Sequence, residues 1–179
     1  MVRDAFCSTC GTRYDDVSGY PRQCAACGNQ VWVNPKPVAV VLLPVIDGAR
    51  TGLLVIRRAI PPVGILALIG GFVEPDESWQ ESAARELWEE AAVVVAPAAL
   101  EPLWFTSTEP DPNFVLLFSV APAVQLAELP PFVSNSEVSE RGVIFGATGE
   151  GLGFPLHTAA ARRYFAGIGV DGPLDFVPL

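Results

Sequence analysis

The segment from Gly71 to Val93, GFVEPDESWQESAARELWEEAAV, concentrates seven acidic residues against a single arginine. Ser78, followed three residues later by Glu81, forms a capping box, which predicts that a helix begins at Ser78. Apolar residues then recur at every fourth position and form the predicted inward stripe of this helix: Trp79, Ala83, Leu87 and Ala91. The helix is therefore expected to pack against a core along one stripe and to carry most of its acids elsewhere.

Three acids of this predicted helix crowd onto one face. Glu86, Glu89 and Glu90 are spaced i, i+3 and i+4, so their side chains are neighbours. Three carboxylates repel one another in the absence of a counter-charge, and Arg85 alone does not cancel them. Composition leaves two interpretations open: a solvated acidic face, or an oxygen-ligand site for Mg²⁺ or Mn²⁺.

The rest of the chain alternates short apolar runs with turns. The run from Val38 to Ile46 predicts one buried strand, and residues 47–52 predict a hairpin turn before a return strand at Leu53 to Ile56. A short strand is predicted at Ile65 to Ile69, broken by the glycine pair at 70–71. Later strands are predicted at Leu103–Ser107, Phe114–Val120 and Gly142–Phe145. Strands on both sides of a helix indicate an α/β class.

A terminal helix is predicted from His157 to Ile168, with Pro155 before it and Gly169 after it. His157 is the only histidine of the chain. We expect it to precede or cap this helix rather than to act as a catalytic base, because a lone histidine without a placed partner is weak evidence for catalysis.

The N-terminal segment contains two copies of one cysteine motif, CSTCG and CAACG. Two C-x2-C turns can bring four thiolates to one ion in a closed tetrahedral site, which is typical of structural zinc. The four predicted ligands are Cys7, Cys10, Cys24 and Cys27. An iron–sulfur centre, two disulfides or four free thiols are the alternatives. We predict a small zinc ribbon at residues 1–34 and a second domain at residues 35–179, with residues 34–37 as the boundary.

Charge and hydropathy exclude several classes of protein. Lys and Arg number 11 against 20 Asp and Glu, a formal net charge of −9 that disfavours a general nucleic-acid coat protein. No apolar run reaches the length of a transmembrane helix, and residues 1–7 lack the apolar core of a signal peptide. We expect a cytoplasmic protein that does not bind membranes.

The acidic segment resembles the Nudix box, whose pattern is G-x5-E-x7-R-E-U-x-E-E-x-G-U, where U is a bulky aliphatic residue. Gly71, Glu77, the run from Arg85 to Glu90 and Val93 all fall in place, and Ala92 stands where the pattern has glycine. The resemblance implies an α/β/α sandwich around mixed strands, with the box as a loop and helix. It also implies an enzyme that hydrolyses a nucleoside diphosphate linked to another group.

The resemblance assigns a role to each box residue. Three carboxylates would bind one to three divalent ions, Mg²⁺ or Mn²⁺: Glu86, Glu89 and Glu90. Glu77 would add to the metal network or position water, Arg85 would orient the glutamates, and the Gly71 carbonyl would reach a metal. Glu89 or Glu90 is the first choice for the general base.

Residues outside the box extend the predicted site. Glu137 or Glu140, which resembles the acidic segment before a late strand of the family, would complete it, with an exposed acid as the alternative. Arg57 or Arg58 could contact a phosphate or simply end a strand. An aromatic residue could stack on adenine or belong to the core: Trp104, Phe105 or Phe114.

A four-cysteine ribbon before a Nudix domain resembles the NADH pyrophosphatase branch of the family. The motif S-Q-P-W-P-F-P-x-S of that branch is only partly matched by residues 106–114, TSTEPDPNF. NADH, ADP-ribose and other nucleotides therefore stay open as substrates. The alternatives are a non-catalytic nucleotide-sensing module and a zinc-ribbon RNA-cap hydrolase, which would make capped RNA the one expected nucleic-acid partner. Resemblance alone predicts a homodimer.

Overall fold

The structure is a computed structural model that describes residues 4–109, 113–146 and 151–179. Residues 1–3 of the predicted ribbon and residues 110–112 of the compared substrate motif lie outside the described residues. The chain divides into two compact units, Met1–Pro35 and Lys36–Leu179. Within the described residues, no helix is long and apolar enough to cross a membrane.

The first unit is built on the two cysteine turns. Gly11 and Gly28 follow the two motifs with φ of +74° and +75°, a left-handed conformation that glycine adopts without steric cost. Their amides donate to the carbonyls of Cys7 and Cys24 and close each turn. Strands β1 (Arg22–Gln23) and β2 (Gln30–Val31) pair antiparallel.

The second unit contains the remaining strands and both α-helices among the described residues. Its strands are β3 Lys36–Leu42, β4 Pro44–Asp47, β5 Arg50–Arg58, β6 Leu66–Ala67, β7 Ile69–Phe72, β8 Glu101–Ser107, β9 Phe114–Val120, β10 Val124–Gln125, β11 Val138–Phe145 and β12 Asp175–Pro178. Its helices are α1 Trp79–Ala91 and α2 Pro155–Gly167, with 3-10 turns at Pro97–Ala99 and Leu126–Glu128.

These strands form two sheets. One sheet has the order β7-β3-β9-β8, in which β3 runs antiparallel to β7 and parallel to β9. The other has the order β10-β4-β5-β11-β12, with β6 paired to β5. Parallel and antiparallel pairs occur in both sheets, because β10 and β4 are parallel and β4 and β5 antiparallel. Both sheets are therefore mixed.

The strands lie between the two helices. Successive side chains of a strand point to opposite faces, so Ala39 and Val41 of β3 pack into the cluster that contains the apolar residues of α1. Val40 and Leu42 pack into a second cluster with the apolar residues of α2. This arrangement is an α/β/α sandwich with mixed sheets, which confirms the predicted fold class.

Several predicted strands begin a few residues too late, since β5, β8 and β11 start at Arg50, Glu101 and Val138. Two predictions are wrong in how they divide the chain into strands. The run from Val38 to Ile46 is divided between β3 and β4, which belong to different sheets, and Leu43 lies between them. The apolar run is continuous because both strands are buried. Gly70 and Gly71 do not end a strand but belong to β7, where a Cβ on Gly70 would lie 2.8 Å from Val40 Cα. Gly70 therefore allows β7 to approach β3 closely.

The predicted helix start is confirmed. Ser78 is the N-cap of α1, its hydroxyl accepts from Glu81 N, and the Glu81 carboxylate accepts from Ser78 N. The inward stripe is also correct, since Ala83, Leu87 and Ala91 are fully buried. The helix ends at Ala91, and its C-cap Ala92 adopts the left-handed conformation with φ of 60°.

The prediction that His157 precedes or caps the terminal helix is wrong. Pro155 is the first residue of α2, where its missing N–H has no consequence, and His157 lies inside the first turn. Its side chain is buried, because this turn of the helix packs against the sheets rather than facing solvent.

Candidate active site

The acidic face of α1 is turned toward the glycines of β7. Glu86 and Glu90 are one turn apart and both are buried, whereas the Glu89 side chain is 46% exposed. The Glu90 carboxylate accepts the N–H of Gly70 at 2.9 Å. A Cβ on Gly71 would lie 2.6 Å from Glu86 Cδ, so glycine at this position makes room for that carboxylate.

Arg85 holds the other carboxylates of the box. Its Nη2 and Nε donate to the two oxygens of Glu77 at 2.8 and 3.1 Å, a bidentate pair. Its Nη1 donates to Glu86 at 2.8 Å and to Glu89 at 3.0 Å. Nη2 also donates to the carbonyl of Phe72 at 3.2 Å, a contact that links the end of β7 to the middle of α1. One guanidinium therefore orients three glutamates.

The environment moves the pKa values of these acids in opposite directions. Hydrogen bonds from Arg85 lower the pKa of Glu77 to about 2. Burial raises the pKa of Glu86, and this effect outweighs its bond to Arg85. Burial raises the pKa of Glu90 to about 8, although the Gly70 N–H favours its charged form. Glu86 and Glu90 are thus carboxylates whose charge is not compensated by protein groups alone.

Glu86 and Glu90 line a cavity of about 920 Å³, whereas Glu77 is not among the described residues that line it. Arg85, Glu86, Glu89 and Glu90 border one side, joined by Arg58 from β5 and by Glu137 from the loop before β11. Glu74 and Glu109, which the sequence analysis did not single out, also line it. The other side is mainly apolar, with Val40, Leu68, Phe114, Leu116 and Phe154 among its lining residues. The cavity therefore combines an anionic half with an apolar half.

The sequence leaves open which residue of two candidate pairs, Arg57 or Arg58 and Glu137 or Glu140, belongs to the site, and the structure separates them. Arg57 and Glu140 form an ion pair at 2.7 Å, about a third exposed on each side, and neither is among the described residues that line the cavity. Arg58 and Glu137 do line it. Neighbouring residues on a strand point to opposite faces, so only Arg58 of the arginine pair reaches this side.

The aromatic candidates are separated in the same way. Phe114 lines the cavity. Phe105 is 74% exposed, and Trp104 stacks on Phe118 with ring centroids 5.3 Å apart; neither is among the described lining residues. His157 also lines the cavity. The residues around it in the sequence do not indicate this position, because α2 follows the box by more than sixty residues.

The donor set of the anionic half fits a hard divalent cation. It consists of carboxylate oxygens, the ligand type that Mg²⁺ and Mn²⁺ prefer. Burial disfavours the charged forms of Glu90 and, despite its ion pair with Arg85, of Glu86, so a cation beside them would be stabilising. The carboxylates of Glu77, Glu86 and Glu89 are grouped around Arg85. Mg²⁺ and Mn²⁺ keep water and substrate oxygens as ligands beside such carboxylates.

The four predicted thiol ligands converge in the first unit. Cys7 Sγ lies 3.7 Å from Cys27 Sγ, and Cys10 Sγ lies 3.6 Å from Cys24 Sγ. All four sulfur atoms lie within 4.8 Å of one another. A tetrahedron with Zn–S bonds of about 2.3 Å has edges of roughly 3.8 Å, close to these separations. The cluster is compatible with a small zinc ribbon, and its cysteines are unpaired by disulfides.

Comparisons with known proteins agree with this architecture. The model of the NUDIX domain matches residues 35–143. "NAD-capped RNA hydrolase NudC" of Deinococcus radiodurans is 30% identical over 113 residues, which cover 63% of this chain and 39% of the relative. "NAD-capped RNA hydrolase NUDT12" of Homo sapiens is 34% identical over 101 residues, 52% of this chain and 22% of the relative.

A solved structure extends the likeness over nearly the whole chain. The crystal structure of a NUDIX hydrolase from Nitrosomonas europaea aligns with a TM-score of 0.62 at 21% identity, covering 93% of this chain and 94% of that one. This likeness concerns the fold. The chain spans less than half the length of the two curated relatives named above. Since the family model matches more than half of its residues, the chain belongs to the NUDIX domain family.

Proposed function

We propose that this protein is a divalent-metal-dependent pyrophosphatase. It would hydrolyse the pyrophosphate bond of a nucleoside diphosphate linked to another moiety, such as NADH or ADP-ribose, and release a nucleoside monophosphate. The observation that carries this proposal is the cavity itself, whose lining combines six acids and Arg58 with apolar residues that suit a nucleotide base. Membership of the NUDIX domain family supports the reaction class.

The roles of the residues follow from their contacts. Glu86, Glu89 and Glu90 would hold Mg²⁺ or Mn²⁺, together with the carbonyl of Gly71. Arg85 would orient Glu86 and Glu89, and it would hold Glu77 as a fixed anion that anchors the guanidinium. These two residues would thus act through the ligands rather than on the substrate.

The reaction needs a phosphate contact, a water and a proton acceptor. Divalent cations, when bound, offset the charge of the diphosphate and lower the pKa of water. Arg58 has no hydrogen-bond partner for its Nε within the described residues, and its guanidinium is the cavity cation that remains for a phosphate. Water adds its oxygen to one phosphorus, the bridging P–O bond breaks, and a carboxylate accepts the proton. Glu89, Glu90 or Glu137 is the candidate acceptor.

The first unit would be a structural zinc ribbon. Four thiolates leave no open position on the ion, so this zinc would not take part in hydrolysis. The buried residues of the unit include Cys7 and Cys24 themselves, packed with Tyr14 and the partly buried Val17 and Val31. Such a core is too small to hold a fold without a metal. We retain residues 1–34 and 35–179 as the proposed domains.

A hydrolysis screen with Mg²⁺ and with Mn²⁺ tests the function. The panel contains NADH, NAD, ADP-ribose, diadenosine polyphosphates and nucleoside triphosphates, with products separated by chromatography. We expect AMP from a nucleoside-diphosphate-linked substrate, and at least a hundredfold loss of kcat in Glu89→Gln with binding retained. Absence of turnover across the panel with both metals would favour a nucleotide-sensing module instead.

NAD-capped RNA is a second candidate substrate, because the two relatives described above are NAD-capped RNA hydrolases. The net charge of −9 argues against strong binding to an RNA backbone. Capped RNA and free NAD should be compared at two salt concentrations. A marked preference for capped RNA that weakens with salt would support this candidate, and equal rates would support the small molecule.

The expected homodimer stays a prediction from resemblance. Light scattering coupled to size-exclusion chromatography measures it directly, and a mass near twice 19.0 kDa is the expected result.

A further inference from the structure

Among the residues that line the proposed nucleotide cavity, His157 is a buried polar residue to which the mechanism above assigns no role. His157 lies in the first turn of α2, lines the cavity and is only 8% exposed. Its Nδ1 accepts the backbone N–H of Leu68 at 3.1 Å. Within the described residues, no group accepts a hydrogen bond from its other ring nitrogen, Nε2.

The imidazole is held in one orientation. The ring centroid of Phe154 lies 5.0 Å from it and that of Phe118 lies 5.8 Å from it, the latter edge to face. Burial, assisted by the charge of Arg58, lowers the pKa of His157 to about 3. The ring is therefore neutral near pH 7, and because Nδ1 is an acceptor, the single proton is on Nε2.

The surroundings of His157 are those of a base pocket rather than of a phosphate pocket. Two lining residues contact it, Leu68 through its N–H and Phe154 through its ring, and further apolar residues line the same cavity: Val40, Phe114 and Leu116. Arg58 connects this half to the acids, since its guanidinium carbon lies 5.5 Å from the Phe154 ring centroid and its charge also acts on Glu90. A phosphate near Arg58 would thus leave its attached nucleoside within the apolar half.

Resting on the function proposed above, we propose that His157 donates its Nε2–H to an acceptor on the heterocyclic ring of the nucleotide and thereby selects the group bound in the apolar half. A planar ring suits the aromatic lining. A donor in an apolar pocket discriminates against rings without a matching acceptor, because the donor is then left unpaired. The shared chemistry is a ring nitrogen or carbonyl oxygen, which both adenine and nicotinamide carry.

The single histidine makes this proposal directly measurable. The full zinc-loaded chain, labelled with 15N-histidine, gives one imidazole signal set in NMR spectra. We expect a neutral ring with its proton on Nε2. AMP or nicotinamide mononucleotide should move the Nε2–H resonance, whereas ribose 5-phosphate, which has no base, should not. A shift with only one nucleotide identifies the ring that is bound. The proposal is overturned when neither nucleotide moves the resonance or when ribose 5-phosphate moves it equally.

Two variants provide a kinetic readout. His157→Asn keeps an oxygen that can accept from Leu68 N–H but lacks the Nε2 donor, whereas His157→Gln returns an amide N–H near that position. We expect KM to rise about tenfold in His157→Asn with kcat nearly retained, and His157→Gln to recover part of the loss. Thermal unfolding checks that both variants fold.

The outcomes separate this inference from the proposed function. An unchanged KM in a folded His157→Asn overturns the role of His157 and leaves the pyrophosphatase proposal standing. A wild-type chain without any turnover overturns the pyrophosphatase proposal, and the NMR experiment still decides whether His157 contacts a nucleotide ring.

Discussion

Glu86 on α1 lies so close to Gly71 on β7 that a Cβ at position 71 would stand 2.6 Å from the Glu86 Cδ atom. The carboxylate is buried there and also accepts from Arg85. The first residue of the Nudix box is therefore glycine in this chain for a steric reason: a side chain there would overlap Glu86, the first glutamate of the proposed metal site.

Replacing Gly71 with alanine should displace the Glu86 carboxylate while leaving the sheet intact. We expect kcat/KM to fall at least tenfold at saturating Mg²⁺, because a ligand moved by about 1 Å loses its geometry. Gly167→Ala is the matched control, since a Cβ there meets nothing within 4 Å. Steady-state kinetics with circular dichroism on both variants measure the effect, and wild-type kinetics in Gly71→Ala would contradict it.

Arg85 should not be replaceable by lysine. A lysine cannot form the bidentate pair with Glu77 and still reach Glu86 and Glu89, so we expect kcat/KM to fall by roughly 10- to 100-fold in Arg85→Lys. The control is Arg50→Lys, because the Arg50–Asp175 pair is half exposed on both sides and lies at 2.8 Å. That control should change the rate less than about twofold. Similar losses in both variants would argue against a special role for Arg85.

The buried Glu90 should make the protein less stable as the pH rises when no Mg²⁺ or Mn²⁺ is added. Its folded-state pKa of about 8 lies above its ordinary value of 4.5, so the folded state binds more protons in between, and stability falls from about pH 4.5 to 8. Glu90→Gln removes this titration and keeps an acceptor for Gly70 N–H. We expect it to unfold like the wild type at pH 5 but to be more stable at pH 8 by on the order of 2 kcal/mol.

Chemical denaturation at several pH values measures this difference. Glu101→Gln, at an exposed position of β8, controls for the loss of one negative charge and should show no such dependence. A Glu90→Gln variant that follows the wild-type curve at every pH would refute the assignment of Glu90 as a buried, uncompensated acid.

The first unit should lose its structure when zinc is removed. Metal analysis should find one zinc per chain, and Cys10→Ser should abolish it, because three thiolates and a hydroxyl bind zinc much more weakly. Hydrogen exchange after chelation should show lost protection in residues 4–35 and retained protection in the strands and helices of Lys36–Leu179. Persistent protection of residues 4–35 in zinc-free protein would contradict a structural zinc.

Ala92→Gly should stabilise the chain. Ala92 has φ of 60°, a left-handed conformation that costs alanine about 1 kcal/mol more than glycine. We expect an increase of about 1 kcal/mol in the free energy of unfolding, measured by urea denaturation. Ala84→Gly, in the middle of α1, is the matched control and should lower stability by about the same amount. A decrease in both variants would show that the helix end does not require this conformation.

Sequence alone determined the features that depend on local spacing. The regular period of an α-helix is enough to predict three of these features. They are the capping box at Ser78, the inward stripe of α1 and the shared face of Glu86, Glu89 and Glu90. The two cysteine motifs are local in the same way, because each pair of thiols comes from one tight turn. These features could be predicted without knowledge of any distant contact.

Only the tertiary structure decided which residues outside the box face the proposed site. The preference for Arg58 over Arg57, Glu137 over Glu140 and Phe114 over Phe105 depends on strand pairing and on which sheet face meets the cavity. The packing of sheets and helices divides one apolar run into β3 and β4. The same packing places His157 of α2 at the cavity. The hydrophobic effect is non-directional. The identity of a single apolar or polar residue therefore does not indicate which distant residues will lie next to it in the fold.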